Sequence, residues 1–373
     1  MKYMGWLNMN VMNKQGWAPK PCPPYPAKMT TEKRVLPQRR PLLSQIAIAL
    51  TIITISACLG GCDRKEHPSG GPPEKVTIAF TTLPYTAITD LAQAQGYFQE
   101  AGLTVTAHYL STGKAALDEV LEGKADIATV AETPVMFAVM NGAKISIIAT
   151  IQRSNRTNAI IAKKDKEIQL PRDLKKKRIA ATLGTTSEYF LHAFLATHGL
   201  AGSDVRVVSL KPEEILQALA KGEIDAASVF PPFLSQAQQQ LGENGITFFE
   251  KDIYTQTLNV VVAQDFLRKS PATIRKTLLA MLHSEEFIKE NPGAAQNTVA
   301  DFRQADKEML HAAWPDHIFE VSLDQSLILA LEDESRWAIR SRLTNATKVP
   351  NYLDAIYLDG LRAVKPDAVR ILR

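Results

Sequence analysis

Short apolar runs alternate with amphipathic stretches between residues 76 and 151. The runs are typical of strands, and stretches whose apolar residues recur every three or four positions are typical of helices. In chain order we predict strands at Val76–Phe80, Leu103–Tyr109, Ile127–Val130 and Ser146–Ile151, and helices at Ala87–Gln99, Lys114–Glu122 and Val135–Asn141. Such an alternation predicts a mostly parallel sheet covered by helices on both faces.

A second series of the same kind begins near Asp173. We predict strands at Arg178–Thr182, Val205–Ser209 and Ala226–Val229, and helices at Glu188–His198, Glu213–Ala220 and Ser235–Leu241. The two series share a segment, because LDEVLEGKADIA (117–128) resembles ILQALAKGEIDA (215–226). In both, a glycine can end a helix in the left-handed conformation just before a buried strand. The sequence therefore predicts two similarly built α/β lobes.

The remaining chain predicts one strand over 258–264 and helices at Ala272–Lys289, Pro292–Phe302, Asp306–Ala313 and Leu323–Leu343. We interpret them as a return to the first lobe and a helical C-terminal cover. The predicted organisation is a leader with a lipoprotein signal peptide (1–62), a flexible tether (63–75), the first part of lobe 1 (76–165), lobe 2 (166–257), and the return to lobe 1 with the C-terminal helices (258–373).

The leader has the pattern of an export signal. An uncharged, largely apolar run over 42–59 follows four basic residues at 33, 34, 39 and 40, as in a signal peptide; a permanent membrane anchor is the alternative. Leu59-Gly60-Gly61-Cys62 resembles the lipobox of bacterial lipoproteins. We expect lipidation at Cys62, with Cys58 as the alternative, and a protein anchored on the periplasmic side of the bacterial cell membrane. Translation from Met1 or Met29 and export by the Sec or twin-arginine route stay open.

Charge and cysteine content narrow the function. The leader holds eight of the 43 basic residues and one of the 39 acidic residues, so the rest of the chain has 35 and 38, a net charge of −3. This balance disfavours a nucleic-acid partner. All three cysteines lie in the leader, which excludes disulfides, cysteine-ligated metals and thiol nucleophiles from the exported body. The seven histidines show no metal-ligand spacing, so we predict no metal, no cofactor and no enzymatic activity.

Several segments resemble one family. They are GYFQEAGL (96–103), GKADIATVAETP (123–134), DLKKKRIAATLGTTSEYFLHAFLATHGL (173–200), KGEIDAASVFPPF (221–233) and VSLDQSLILALEDESRW (321–337). The part LGTTSEYFL (183–191) is the most specific of them. They are similar to the nitrate/sulfonate/taurine-binding solute receptors of ABC importers, which are related to thiamine-pyrimidine-binding proteins. The resemblance implies the type II periplasmic-binding-protein fold, with a ligand cleft between two α/β lobes that close by a hinge motion. It also implies a monomer that delivers a small molecule to permease and ATPase subunits.

Matching the family's loops places the ligand at the carboxyl ends of the strands. The predicted contacts are Thr82, Leu83, Tyr85, Ser111, Thr112, Gly113, Glu132, Thr133, Arg153, Thr185, Thr186, Ser187, Phe230 and Pro231. Many of these residues directly precede helices, where backbone N–H groups and the helix dipole favour an oxyanion. The alternative for the hydroxyls is helix capping.

The sequence is compatible with more than one class of ligand and more than one class of protein. Glu132 would repel an anion and suits an amine or a pyrimidine, and Arg153 is either an anion contact or a solvated charge at the hinge. Tyr85 and Phe230 either stack on a ring or pack in the core. A sulfonate, taurine, nitrate or similar oxyanion is the leading prediction. The alternative functions are a ligand-sensing lipoprotein that signals to a partner, and an enzyme on the same fold.

Overall fold

The computed structural model describes residues 72–83 and 86–372, which lie within one compact unit. The predicted leader, the lipidation of Cys62 and the contact by Tyr85 lie outside the described residues. Among the residues described, none of the helices has both the length and the hydropathy required to cross a bilayer.

The structure contains strands and helices in the following order. The strands are β1 (Glu74–Thr81), β2 (Leu103–Leu110), β3 (Ile127–Ala131), β4 (Ile145–Ser154), β5 (Ala159–Lys163), β6 (Arg178–Ala181), β7 (Arg206–Ser209), β8 (Ala226–Val229), β9 (Gly245–Phe248), β10 (Gln256–Ala263), β11 (Leu323–Asp324) and β12 (Val369–Arg370). The helices are α1 (Ala87–Ala94), α2 (Tyr97–Glu100), α3 (Gly113–Leu121), α4 (Glu132–Met140), α5 (Thr186–Thr197), α6 (Pro212–Lys221), α7 (Phe233–Leu241), α8 (Gln264–Lys269), α9 (Pro271–Glu290), α10 (Pro292–Arg303), α11 (Lys307–Ala313), α12 (Gln325–Arg340) and α13 (Leu358–Val364).

Two five-stranded sheets form the centres of the two lobes. The first has the order β2-β1-β3-β10-β4, and the second has the order β7-β6-β8-β5-β9. In each sheet one strand runs against its neighbours: β10 is antiparallel to β3 and β4, and β5 is antiparallel to β8 and β9. The prediction of two α/β lobes with mostly parallel sheets is confirmed. Because each sheet contains one antiparallel strand, both are mixed sheets.

The chain passes between the two sheets twice. Residues 155–158 connect β4 to β5, and residues 249–255 connect β9 to β10. Asn158 Nδ2 donates a hydrogen bond of 3.1 Å to Gln256 Oε1, so the first connection is tied to the residue that follows the second. A pair of short connections between rigid sheets is the architecture that supports hinge closure.

Apolar side chains on both faces of the sheets form the cores. Ile78, Ile127 and Val260 in the first sheet are fully buried, as are Ile160 and Ile179 in the second. Strands covered by helices on both faces are expected to be apolar throughout rather than alternating. This explains why the short apolar runs were recognisable in the sequence.

The structure differs from the predicted elements in several places, and α8, α13, β11 and β12 are additional elements that were not predicted. The predicted helix Ala87–Gln99 is split into α1 and α2 because Gly96 adopts a left-handed φ of 79°. The short strands β5 and β9 were not predicted, since each lies beside a connection between the sheets. The predicted boundary between residues 165 and 166 follows β5, whereas β5 pairs with β8 and belongs to the second sheet.

Candidate functional site

A small cavity lies between the two lobes, at the carboxyl ends of the strands. Its volume is about 20 Å³. Six of the predicted contacts line it: Leu83, Thr112, Gly113, Thr185, Thr186 and Phe230. Because roughly 10–15 Å³ of cavity holds one water molecule, the two lobes are closed tightly around this point.

The first lobe contributes the start of helix α3. Thr112 is extended (φ −138°, ψ 151°), and its Oγ1 accepts a hydrogen bond of 3.1 Å from the backbone N–H of Ala115. A Cβ atom at Gly113 would lie 3.1 Å from Ala131 N and 3.2 Å from Val130 Cα. The missing side chain therefore lets the helix start approach the end of β3, with the N–H groups of its first turn at the cavity.

The second lobe contributes the start of helix α5. Thr185 Oγ1 donates to the carbonyl of Thr182 at 2.6 Å and accepts from the N–H of Ser187 at 3.3 Å. Ser187 Oγ donates to the carbonyl of Ser228 at 2.7 Å, and Thr186 Oγ1 donates to Asn158 at 3.3 Å. These hydroxyls therefore hold the loop in shape, and the backbone N–H groups of the helix start are the donors left for a ligand.

Gln256 is a cavity residue that the sequence analysis missed. It lies at the start of β10, it is buried, and its Oε1 accepts the bond from Asn158 described above. Its Nε2 is buried and has no hydrogen-bond partner among the described residues. A buried amide donor without a partner at a cavity wall is suited to a ligand that accepts hydrogen bonds.

Lys114 was also missed, although its position directly after Thr112-Gly113 was a usable signal. Among the described residues that line the cavity, it is the only one with a cationic side chain. Its Nζ pairs with Asp118 Oδ2 at 3.0 Å. Its Cε lies 3.6 Å from where a Cβ of Gly184 would stand, so its stem crosses from the first lobe to the second.

A larger groove adjoins the cavity and shares Lys114 and Pro134 with it. The groove has a volume of about 430 Å³. Its walls carry the apolar side chains Leu117, Leu121, Phe137, Leu183 and Leu343. Leu121 and Leu183 are 46% and 43% exposed. The groove is therefore an open surface that is mostly apolar, with Asp118 and Glu188 also on its walls.

Glu132 and Thr133 point away from the small cavity. The Glu132 carboxylate accepts hydrogen bonds from the Tyr254 hydroxyl, from Thr257 N at 2.7 Å and from Thr257 Oγ1 at 2.9 Å. Burial raises the pKa of Glu132, and these hydrogen bonds oppose that rise. The buried Thr133 hydroxyl lies beside Glu334 and Tyr254. Neither residue lines the cavity between the lobes.

The other predicted contacts also lie apart from the cavity lining. Arg153 donates to Glu320 Oε2 at 2.6 Å and to Asp324 Oδ2 at 3.0 Å, so two carboxylates neutralise it. Thr82 and Ser111 are exposed, and Thr82 Oγ1 donates to the carbonyl of Leu110 at 3.1 Å. Pro231 follows Phe230, whose ring packs edge-on against Phe233.

Metal binding receives no support within the described part of the chain. Its residues include no group of three or more His, Cys, Asp or Glu side chains placed to hold a metal ion.

Comparison with known proteins agrees with this architecture. Residues 84–295 match the family described as NMT1/THI5 like. The chain is 28% identical to the taurine-binding periplasmic protein of Escherichia coli (strain K12) over 223 residues, 58% of this chain and 67% of that protein.

Two solved structures share the fold. The alkanesulfonate-binding protein of Xanthomonas axonopodis pv. citri aligns with a TM-score of 0.67 and 17% identity, over 78% of this chain and 100% of that chain. The periplasmic nitrate-binding protein of Synechocystis PCC 6803 aligns with a TM-score of 0.62 and 14% identity, over 79% and 90%. Because the family match spans more than half of the sequence and agrees with the resemblance seen in its motifs, this chain belongs to the NMT1/THI5-like family.

Proposed function

We propose that this protein is the solute-binding receptor of an ABC importer and that it captures a small oxyanion between its lobes. One observation carries the proposal: the starts of α3 and α5, from opposite lobes, line the same cavity. Each helix start bears a partial positive charge and unpaired N–H groups. Two such starts facing one point favour an anion there.

Two side chains strengthen the preference for an oxyanion. The Nε2 donor of Gln256 and the ammonium of Lys114 supplement the backbone donors at the cavity. Glu132, which argued against an anion, directs its carboxylate to Tyr254 and Thr257 instead. The repulsion anticipated from the sequence is therefore reduced.

The closed cavity is too small for an organic sulfonate, so ligand entry requires the lobes to separate. The connections at 155–158 and 249–255 supply the hinge for this motion. Within the oxyanions, the apolar groove that shares Lys114 and Pro134 with the cavity favours a sulfonate that carries a hydrocarbon tail. Nitrate has no group that would use the groove.

We further propose that the protein is exported and held at the membrane by lipid on Cys62, with its body on the periplasmic side. The periplasmic location of the taurine-binding relative supports export. The lipid anchor rests on the Leu59–Cys62 motif, and labelling with a radioactive or clickable fatty acid in wild-type and Cys62→Ala cells tests it. The proposal fails if the variant is labelled as strongly as the wild type.

Isothermal titration of the full chain, purified in mild detergent, tests ligand binding. The titrants are nitrate, taurine, and alkanesulfonates of two to eight carbons. We expect saturable binding of sulfonates and tighter binding as the tail lengthens, since each buried CH₂ contributes about 0.8 kcal/mol. Absence of binding to all of these oxyanions would overturn the proposal.

Gln256→Leu locates the binding event. It keeps the side-chain size and removes the buried donor, together with the oxygen that accepts from Asn158. We expect sulfonate binding to weaken by about ten- to a hundredfold, since a hydrogen bond to a charged group contributes about 1.5–3 kcal/mol. Gln264→Leu is the matched control, because Gln264 Nε2 donates to the Ile145 carbonyl outside the cavity. Equal losses in both variants would place the ligand elsewhere.

A further inference from the structure

A second cavity, of about 180 Å³, lies on the other side of the first turn of α4. Its walls include Glu334 and Asp333 of α12, Tyr189 of α5, and Tyr254 and Thr257 near the start of β10. It has no lining residue in common with the cavity between the helix starts. It is also wide enough for an organic molecule, since an engineered cavity of about 150 Å³ binds benzene.

Glu334 gives this cavity its chemical character. Its side chain is fully buried, and neither carboxylate oxygen has a well-formed hydrogen bond among the described residues. The Glu132 carboxylate and the Thr133 hydroxyl lie beside it. A buried carboxylate next to another one must be neutralised by a proton or by a cation, because isolated charge is costly to bury.

The protein's own cations do not provide this neutralisation. Arg153 reaches the cavity wall, but its guanidinium is bound by Glu320 and Asp324. Glu132 is held as the anion of the pair by its bonds from Tyr254 and Thr257. This leaves Glu334 as the member that takes up a proton when no cation is bound.

The rings of Tyr189 and Tyr254 line the cavity, and Trp337 contacts Tyr189 from outside the lining. Tyr189 meets both Tyr254 and Trp337 edge-on, with ring centroids 5.2 Å apart in each pair. Aromatic faces attract cations, and tyrosine and tryptophan surround ammonium ligands in many proteins. A metal ion fits less well, because no group of three or more suitable side chains occurs in the described residues.

We propose that this cavity binds a small organic ammonium ion, with Glu334 as its counter-ion. The three N–H groups of a primary ammonium match the Glu334 oxygens and the hydroxyls at the cavity wall. Because Tyr189 belongs to the second lobe and Glu334 to the cover of the first, a bound ammonium ion contacts both lobes. The site is separate from the oxyanion cavity and does not depend on it.

Binding exchanges one cation for one proton. The protonated Glu334 carboxyl releases its proton to solvent, and the ionised carboxylate then pairs with the ammonium. The other titratable or charged groups that line the site are Asp333, Tyr189, Tyr254 and Arg153, and Glu132 lies beside Glu334 without lining the cavity. Burial raises the pKa of Glu334 well above its ordinary value. At pH values below that pKa, each unit by which the pH rises should therefore tighten ammonium binding by about tenfold.

Ethylammonium chloride is the probe, with sodium chloride at the same ionic strength as the reference. The full chain is titrated between pH 5 and pH 9 in buffers free of amines and sulfonates, and its thermal unfolding is followed by tryptophan fluorescence. We expect ethylammonium alone to raise the melting temperature, with an apparent affinity that increases with pH. No rise at any pH, or an affinity independent of pH, would overturn the proposal.

Glu334→Gln removes the charge and keeps the shape, so we expect it to abolish the ethylammonium effect. Glu332→Gln is the matched control on the same helix, because Glu332 pairs with Arg336 and does not line the cavity. Retained binding in Glu334→Gln would also overturn the proposal. Sulfonate binding by Glu334→Gln tests the oxyanion cavity separately, since Glu334 does not line that cavity. If Glu334→Gln does not fold, the pH dependence of ethylammonium binding by the wild type decides the question.

Discussion

Lys114 and Gly184 meet across the cleft, with Lys114 Cε 3.6 Å from the position that a Cβ of Gly184 would occupy. Gly184 has a left-handed φ of 74°, and its N–H donates to Glu188 Oε2 at 2.7 Å. The lysine belongs to the first turn of α3, and the glycine to the turn that precedes α5. The contact therefore joins the two helix starts and exists only when the lobes are closed.

Lys114→Met tests the charge at this contact. The variant keeps an apolar stem against Gly184 and removes the ammonium, so we expect sulfonate affinity to fall by about tenfold, equivalent to about 1.4 kcal/mol. Screening weakens interactions between exposed charges, so the wild type should lose more affinity than the variant as salt is raised. Titration at two salt concentrations measures both effects. An unchanged affinity and salt response would exclude Lys114 from the site.

Gly113→Ala tests the close approach of α3 to β3. The added Cβ would lie 3.1–3.2 Å from backbone atoms of Ala131 and Val130, which cannot rotate away. Overpacking of this kind costs about 1–3 kcal/mol, and we expect both lower stability and weaker sulfonate binding. Denaturant unfolding and titration measure the two losses.

Gly293→Ala is the control for this substitution. A Cβ at Gly293 would meet no described atom within 4 Å, and alanine favours the helix α10 in which it lies. We expect unchanged binding and equal or greater stability. If Gly113→Ala behaved like the control, the helix start would have more room than the structure indicates.

The sequence predicted the site residues whose positions follow from the local order of strands and helices along the chain. Thr112, Gly113 and Thr185 follow strands and precede helices, and this order alone places them at the carboxyl edge of a sheet. The orientation of Glu132 depends on Tyr254 and Thr257, which are more than a hundred residues away in the chain.

Arg153 was ambiguous for the same reason. Its partners Glu320 and Asp324 come from the C-terminal segment. No local pattern around residue 153 could reveal them, so the sequence left an anion contact and a solvated hinge charge as alternatives. The role of such a side chain depends on partners that are distant in the sequence, and the structure is needed to identify those partners.

Glu334→Gln should change the pH dependence of stability. Burial is the main cause that raises the pKa of Glu334 above its ordinary value of 4.5. The folded state therefore binds the proton more tightly than the unfolded state, and the stabilisation is complete below pH 4.5 and declines as pH rises towards the folded pKa. Glutamine is neutral at every pH, so the variant should be slightly more stable than the wild type at pH 5 and clearly more stable at pH 8.

Thermal unfolding from pH 5 to pH 9, in sodium buffers without amines, measures this difference. Parallel curves for the variant and the wild type would mean that Glu334 does not titrate in this range. Glu332→Gln again serves as the control, and we expect its curve to follow that of the wild type.

A buried ion pair fixes α10 to the carboxyl end of the first sheet. Arg303 Nε donates to Asp90 Oδ2 at 2.9 Å, and its Nη2 donates to Thr86 Oγ1 at 3.1 Å and to the Thr81 carbonyl at 3.3 Å. The side chains of Asp90 and Arg303 are 1% and 13% exposed. Thr81 ends the strand whose following loop carries Leu83, so this pair supports one wall of the oxyanion cavity.

Asp90→Asn removes one partner and leaves the Arg303 charge buried. Breaking a buried pair in this way costs about 3–5 kcal/mol, so we expect a large fall in the denaturant midpoint together with weaker sulfonate binding. Asp359→Asn breaks an exposed pair with Arg362 and should leave the melting temperature within about 1 °C of the wild type. A small effect of Asp90→Asn would mean that water or another carboxylate replaces Asp90 beside Arg303, and the wall at Leu83 would then not depend on the Asp90–Arg303 pair.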